Sequence, residues 1–404
     1  MTAALPPRAN LKPNPAWASL PLFDRTGWRR VAFGEFAESI GERAEPKNAQ
    51  EEIYVGLEHL DPLCLRIRRW GKGSDVTGTK LRFRKGDIVF GRRRAYQRKL
   101  AVAEFDGICS AHAMVVRAKP DTVLPEFLPF LMMSDRFMSR AVEISVGSLS
   151  PTINWTTLKH EAFDLPPLDQ QRRIAEILRA VDEAISKKEH LAADLKNVGR
   201  LSTRAALMEG KCHDGRKLDS SRWRDVKLGD ICELRNGKGF SAADWAQDGL
   251  PIIRIQNLNG SREFNYFAGE PDDNWIVEPG TLLFAWAGVR GVSFGPCVWS
   301  GPRGVLNQHI FRISPRAGIN RQWLFETLKL ITVEIEKKAH GFKIELVHVR
   351  KGDITEQLVR VPPEHEQAFL ANYADSFSDA ESVAAKDRKE LKSVLTTLLN
   401  AAFL

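Results

Sequence analysis

The feature that most constrains this chain is a duplication whose period is about half its length. Trp28-Arg29-Arg30-Val31-Ala32-Phe33-Gly34-Glu35-Phe36 returns as Trp223-Arg224-Asp225-Val226-Lys227-Leu228-Gly229-Asp230-Ile231, an offset of 195. Gly86 to Phe90 is answered by Gly280 to Phe284. The stretch around His112 is answered by the stretch around His309, and Pro166-Pro167 with Gln171 by Pro362-Pro363 with Gln367. Anchors in one order, at nearly one offset, define a structural unit used twice. With 404 residues the chain is too long for one ordinary core and suits two domains.

Behind each Pro-Pro pair the hydrophobic period changes. Ile174, Ile177, Val181, Ala184, Lys188, Leu191, Leu195, Val198, Ser202 and Ala205 step alternately by three and four, the seam of a heptad helix. The same steps at an offset of 196 give Leu370, Tyr373, Phe377, Ala380, Ala384, Asp387, Leu391, Val394, Leu398 and Ala401. Lys188, Ser202 and Asp387 interrupt the apolar seam, and Gly199 is the only internal glycine. The proline pairs supply helix starts. From Arg172 to Glu209 such a helix is about 55 to 60 Å long. An apolar stripe of that length must be covered, and its duplicate is the natural cover. The predicted fold is therefore α+β: two mixed α/β domains in pseudo-two-fold arrangement, joined by a pair of long antiparallel coiled-coil helices. The alternative is two separate helical hairpins.

The expected divisions are an N-terminal arm over 1–26, a first domain over 27–167, a spacer helix over 168–210, a linker over 211–221, a second domain over 222–363 and a final helix over 364–404. Runs such as Asp87 to Phe90, Ala113 to Val116, Ile252 to Ile255 and Thr281 to Trp286 read as strands. Pro125 to Met138 and Asn320 to Lys338 read as helices. The arm has no charged start followed by an apolar core, so it does not read as a secretion signal. Five scattered cysteines with no CxxC pair point to free thiols in a reducing compartment, hence the cytoplasm.

Catalytic motifs are missing from the sequence. It has no GxxxxGK[ST] loop, no HExxH and no paired Cys/His metal spacing. Leu165-Pro166-Pro167-Leu168 and Val361-Pro362-Pro363-Glu364 lack the polar and aromatic flanks of an adenine methyltransferase motif. Pro271-Asp272 is not followed closely by the Glu-x-Lys of a metal-dependent nuclease. His112 and His309 recur without a nucleophile or carboxylate beside both, which favours a structural role.

The formal net charge of +8 suits a polyanionic partner. In the first module cations crowd between Arg66 and Lys99: Arg66, Arg68, Arg69, Lys72, Lys80, Arg82, Arg84, Lys85, Arg92, Arg93, Arg94, Arg98 and Lys99, with Trp70 and Tyr96 among them. Arginine can grip phosphate or pair with guanine, whereas lysine mostly serves phosphate. The second module offers amides and aromatics beside its cations: Arg235, Asn236, Lys238, Arg254, Gln256, Asn257, Asn259, Arg262, Trp286, Arg290, Arg303, Asn307 and Gln308. Asparagine and glutamine suit adenine. The bland alternative for both segments is a solvated face. One frame with two unlike reading surfaces implies a bipartite, asymmetric DNA target.

With these residues in view, the chain resembles the specificity subunits of type I restriction-modification systems over nearly its whole length. The resemblance rests on the module openings Trp28 to Phe36 and Trp223 to Ile231 and on the Gly86-Asp87 and Gly280-Thr281 turns. Above all it rests on Leu165-Pro166-Pro167-Leu168-Asp169-Gln170-Gln171-Arg172-Arg173-Ile174; the second copy, Val361-Pro362-Pro363-Glu364-His365-Glu366-Gln367, departs from that string. The resemblance implies a non-catalytic subunit with two target-recognition domains. It would bind double-stranded DNA, two methyltransferase subunits and restriction subunits, with S-adenosylmethionine, ATP and Mg²⁺ held by those partners and no cofactor held by this chain. A stand-alone DNA-binding regulator is the alternative.

Overall fold

The computed structural model describes residues 25–49, 52–338 and 346–403, Leu346 by its backbone alone. The expected arm over 1–26 lies outside them except for its last two residues. The chain divides into two compact units, one of residues 1–189 and 385–404, the other of residues 190–384.

In unit 1 the ribbon of β1 (Arg29–Ala32) and β11 (Ala162–Leu165) brackets the rest of the domain. Among the described residues, β2 (Ala37–Ile40), β10 (Met114–Ala118), β7 (Ile88–Phe90) and β8 (Leu100–Val102) lie side by side in that order. A second sheet runs β3 (Arg43–Ala44), β6 (Lys80–Phe83), β9 (Gly107–Cys109), β4 (Ile53–Val55) and β5 (Gly71–Lys72), with β4 parallel to β9. Short helices α1 (Phe33–Phe36), α2 (Leu128–Met133), α3 (Asp135–Glu143) and α4 (Trp155–Leu158) cover the first sheet.

Unit 2 repeats the plan. Its ribbon is β12 (Arg224–Lys227) with β23 (Leu358–Val361). One sheet runs β13 (Cys232–Asn236), β21 (Ile310–Pro315), β17 (Leu282–Ala285) and β19 (Gly295–Val298). The other runs β15 (Tyr266–Phe267), β14 (Leu250–Ile253), β20 (Gly304–Leu306) and β16 (Ile276–Val277), with β14 again parallel to β20. An added pair joins β18 (Ala287–Val289) to β22 (Leu346–His348). Helices α6 (Leu228–Ile231), α7 (Ile255–Leu258), α8 (Arg321–Lys337) and α9 (Lys351–Thr355) complete the domain. Register equates individual residues of the two copies. Ile40 lies opposite Val115, itself opposite Val89; Arg235 lies opposite Arg312, itself opposite Leu283.

The repeated sequence anchors have repeated physical jobs. Gln171 is 1% exposed; its Oε1 accepts from Leu124 N–H at 2.8 Å and its Nε2 donates to the carbonyls of Thr122 and Pro166 at 3.0 Å each. Gln367, equally buried, accepts from Asn320 N–H at 2.7 Å and donates to Gly318 and Pro362 carbonyls at 3.1 and 3.0 Å. One residue earlier, Gln170 accepts from the Trp28 indole at 2.8 Å and Glu366 from the Trp223 indole at 2.7 Å. Gly86 and Gly280 sit at φ +94° and +87°, where a side chain is strained.

The long helices are α5 (Leu168–Glu209) and α10 (Glu364–Phe403). Both start straight after their proline pairs. Within unit 1 their segments run antiparallel: Ile174 and Leu178 share a core with Leu399 and Phe403, while Lys188 meets Asp387 at 2.8 Å. Two polar interruptions of the predicted seam are therefore each other's partners. The final turn of α10 is closed by Arg25, which donates to the carbonyls of Ala401 and Ala402 at 2.8 and 2.7 Å. Within unit 2, Ala206 and Leu207 share a core with Leu370 and Tyr373, and Gly199 backs onto Phe377. A Cβ on Gly199 would stand 2.9 Å from the Phe377 Cβ, so the glycine admits a large ring at close helix approach.

Two expectations change. The helix predicted over Pro125 to Met138 is two helices, because Ser134 takes an extended conformation and caps α3, its Oγ accepting from Phe137 N–H at 3.2 Å. The polar link over 211–221 is not the division between units, which falls inside the long helices. Instead it folds onto unit 2: His213 hydrogen-bonds the Tyr373 hydroxyl at 2.6 Å, and Arg360 donates to the Ser220 carbonyl at 2.8 Å. By contrast α8 keeps nearly the predicted bounds, capped by Asn320 accepting from Trp323 N–H at 2.9 Å.

Gly199→Ala should lower the unfolding free energy of unit 2 by about 1–3 kcal/mol through overpacking, although alanine is the better helix former by about 1 kcal/mol. Calorimetry of the variant, with Phe377→Gly added to remove the facing Cβ, checks this. Gln171→Leu should cost about 2–4 kcal/mol, because a buried N–H and two carbonyls lose their partner; hydrogen exchange at Leu124 should accelerate.

Candidate nucleic-acid interface

The fold splits the dense basic segment of the first module. Arg66 pairs with Asp182 of α5 at 2.8 Å, and Arg68 pairs with Glu189 of the same helix, which also meets Lys392 at 3.0 Å. Burial would raise the Glu189 carboxyl, but Lys392 and Arg68 hold it below its usual range. Arg69 binds Asp61, and Arg98 binds Asp135 and the Met133 carbonyl. Lys99 donates to the Leu57 carbonyl at 2.8 Å, Arg82 is held by Glu52 and Glu42, and Arg84 by Glu42 and Asp106. These cations are tied to the protein's own carboxylates and carbonyls. Through these pairs Arg66 and Arg68 seat the domain on its helix. Lys72 lies on the edge strand β5 and is exposed.

Arg92, Arg93, Arg94 and Tyr96 behave differently. They form the loop between β7 and β8, and none of the three arginines meets a carboxylate among the described residues. Arg92 donates to the Ala111 carbonyl at 3.2 Å, and Arg93 contacts the His112 ring at 3.1 Å. The Arg94 side chain is exposed, its backbone at φ +57°, and Tyr96 is 55% exposed. Burial, then Arg93, Arg92 and Lys80, push the His112 imidazole below its ordinary range, the signature of a cationic neighbourhood.

Two residues past β7, Arg92 corresponds to Trp286, which joins β17 to β18. There the chemistry is aromatic and amide. The Trp286 indole donates to Asn236 Oδ1 and to the Gln308 carbonyl at 3.0 Å each, and packs edge-on against His309 and His348. Thus His112 and His309 both face this loop, beside Arg93 in one domain and Trp286 in the other. Arg290, further along, meets Glu336 at 3.5 Å. Lys238 lies among the rings of Phe240, Phe267 and Trp275, with ring centroids 4.9 to 5.4 Å from its ammonium. Arg254 stacks over Trp245, itself 43% exposed. The rings at 240, 245, 267 and 275 were not singled out from sequence, since strand pairing of β14 with β15 is what gathers them.

The remaining candidates scatter. Asn257 is 5% exposed; it accepts from Arg254 N–H and donates to the Ser261 and Glu263 carbonyls, so its amide shapes a turn and is not presented to a base. Gln256 is exposed on α7. Arg235 is held by Glu233 and Asn274, and Arg303 by Glu278 at 2.8 Å. The five cysteines are unpaired, and burial pushes the Cys232 and Cys297 thiols up to about 12, which suits packing and not nucleophilic chemistry. No helix among the described residues is long and apolar enough to cross a membrane.

A family model described as the type I restriction modification DNA specificity domain matches residues 27–197 and again 220–393. The EcoDI specificity subunit of Escherichia coli, a type I restriction enzyme component, is 26% identical over 178 residues, 42% of this chain and 37% of that relative. The chain thus matches little more than a third of that protein's length. The putative MjaX specificity subunit of Methanocaldococcus jannaschii, also of type I, is 22% identical over 407 residues, 92% of each chain. A solved chain from work on complex assembly and conformational transition of the type I R-M system superposes with a TM-score of 0.61 at 24% identity, over 94% of this chain and 98% of that one. The duplicated match covers most of the sequence and coincides with the duplicated fold, so this chain belongs to the family of type I restriction-modification DNA specificity subunits.

Proposed function

We propose that the two domains read the two halves of one asymmetric DNA target, and that the chain holds modification and restriction subunits on it without contributing catalysis. The observation that carries this reading is the substitution of chemistry at equivalent points of an unchanged frame. The β7–β8 loop offers arginines with no carboxylate partner among the described residues, where its counterpart offers the Trp286 indole bonded to the Asn236 amide, each beside a histidine. Arginine can pair with guanine O6 and N7, and amides with adenine N6 and N7, so the two domains would prefer different bases. Phosphate contacts from Arg94 and its neighbours would set register, and the bases beneath would set sequence.

S-adenosylmethionine, ATP and Mg²⁺ would be held by the partner subunits. A methyltransferase partner must swing its adenine out of the duplex, which requires DNA held in fixed register. The long helices would set the distance between half-sites, about 34–36 Å for recognition elements one turn apart.

Exchanging residues 27–167 for those of a relative should change one half of the methylated sequence and leave the other half intact, as read by mapping methylated adenines genome-wide. A change in both halves would defeat the modular reading. Arg94→Ala should weaken target and non-target binding alike and reduce the slope of log affinity against log salt by about 0.9, with an unchanged unfolding temperature. Arg68→Ala should do the opposite, lowering the unfolding temperature while the affinity stays within about twofold, the spread of a contact that touches no phosphate.

A further inference from the structure

Unit 1 contains a cleft of about 340 Å³ where its two sheets meet, bounded by Ser39 and Arg43, Thr79 and Lys80, Arg92, and the Trp155 ring. That volume lies in the range of sites that enclose small ligands. Three cations line it and no carboxylate does. Glu42, adjacent in sequence, is turned toward Arg82 at 3.2 Å and Arg84 at 3.4 Å. Lys80 is only 8% exposed, anchored by donation to the Thr77 and Gly78 carbonyls. Arg43 is exposed with no acidic partner, and the Arg92 Nε is buried without a hydrogen-bond acceptor among the described residues. A buried donor left unpaired beside two further cations is costly unless an anion completes it.

In the second domain the equivalent residues have other partners. Counting on along the chain from the paired residues Ile40 and Arg235, and Val89 and Leu283, brings Gly41 level with Asn236, Arg43 with Lys238 and Arg92 with Trp286. There the Trp286 indole spans to Asn236, and Lys238 is surrounded by three rings and faces Asp244 at 3.7 Å. Arg43, level with Lys238, meets no acid among the described residues.

We propose that this cleft, formed by Arg43, Lys80 and Arg92, is a phosphate site that takes a backbone phosphodiester of the bound DNA, and that only the first domain has it. The inference rests on the DNA-reading function above. It adds an anchor that is blind to sequence and present on one half-site only, so the first domain would grip its DNA more through charge than the second. Burial first, then Arg93, Arg92 and Lys80, hold the neighbouring His112 imidazole below its ordinary range.

The test uses the full chain and a fluorescent duplex bearing the target, titrated by anisotropy across a chloride series. Arg43→Gln removes an exposed cation, and Arg92→Trp installs the residue found at the equivalent point of the second domain. Each should weaken target and non-target duplexes alike, about three- to tenfold near 100 mM salt, and make the salt slope shallower by about 0.9. Should Arg92→Trp fail to fold, Arg43→Gln decides alone. Unchanged affinity and slope in folded variants would overturn the site. Inorganic phosphate, at ionic strength matched with chloride, separates the two sources of the group. If it raises the unfolding temperature in a manner abolished by Arg43→Gln while the duplex slope stays the same, the cleft serves a free anion and the backbone assignment falls. If the unaltered chain shows no salt-dependent duplex binding, it is the DNA-reading function that fails.

Discussion

The buried glutamine at the first turn of each long helix is the constraint on which the rest of the molecule hangs. Its single amide satisfies one N–H and two carbonyls that would otherwise be orphaned where a domain's last strand turns into a helix. Because the amide is planar and ties two segments together, the loop at Thr122–Leu124 or Gly318–Asn320 and the proline turn, it fixes how the helix leaves the domain. The proline before it supplies a helix start, and the indole of Trp28 or Trp223 holds the residue just ahead of it. A domain that must present a reading surface in register benefits from such a rigid root.

Pairing of the helix segments uses the opposite strategy, complementarity of unlike residues. Gly199 receives Phe377 in unit 2, and Lys188 receives Asp387 in unit 1. A surface ion pair of that exposure contributes little stability, but it penalises any register that would leave either charge against an apolar neighbour. The same economy governs the basic segment. Much of its charge is spent inside the domain, on Asp182, Glu189, Asp61 and Asp135, and the cations that remain unpaired gather on the β7–β8 loop and the adjoining cleft.

Much of the fold was legible in the sequence because it is a matter of period. Heptad spacing announced the two long helices, and the repeat announced two copies of one domain. Asn320 and the Pro-Pro pairs marked helix starts to within a few residues. Ser134 broke a helix that the apolar pattern had run through, since a cap competes with periodicity at a single residue. The link at 211–221 read as a division because it is polar and contains glycine, yet His213 and Arg360 show it packed onto unit 2.

What the sequence determined by itself is whatever follows from spacing along the chain: duplication, helical seams, a family resemblance and the contrast between a basic segment and an amide-rich one. What only the tertiary structure decided is which charges are spent and which remain. Arg68 and Arg94 are equivalent in composition, and one lies against Glu189, 121 residues away, while the other meets no acid among the described residues. Charge neutralisation depends on distance in space, falling off within a few ångströms of contact, so a list of cations cannot reveal it.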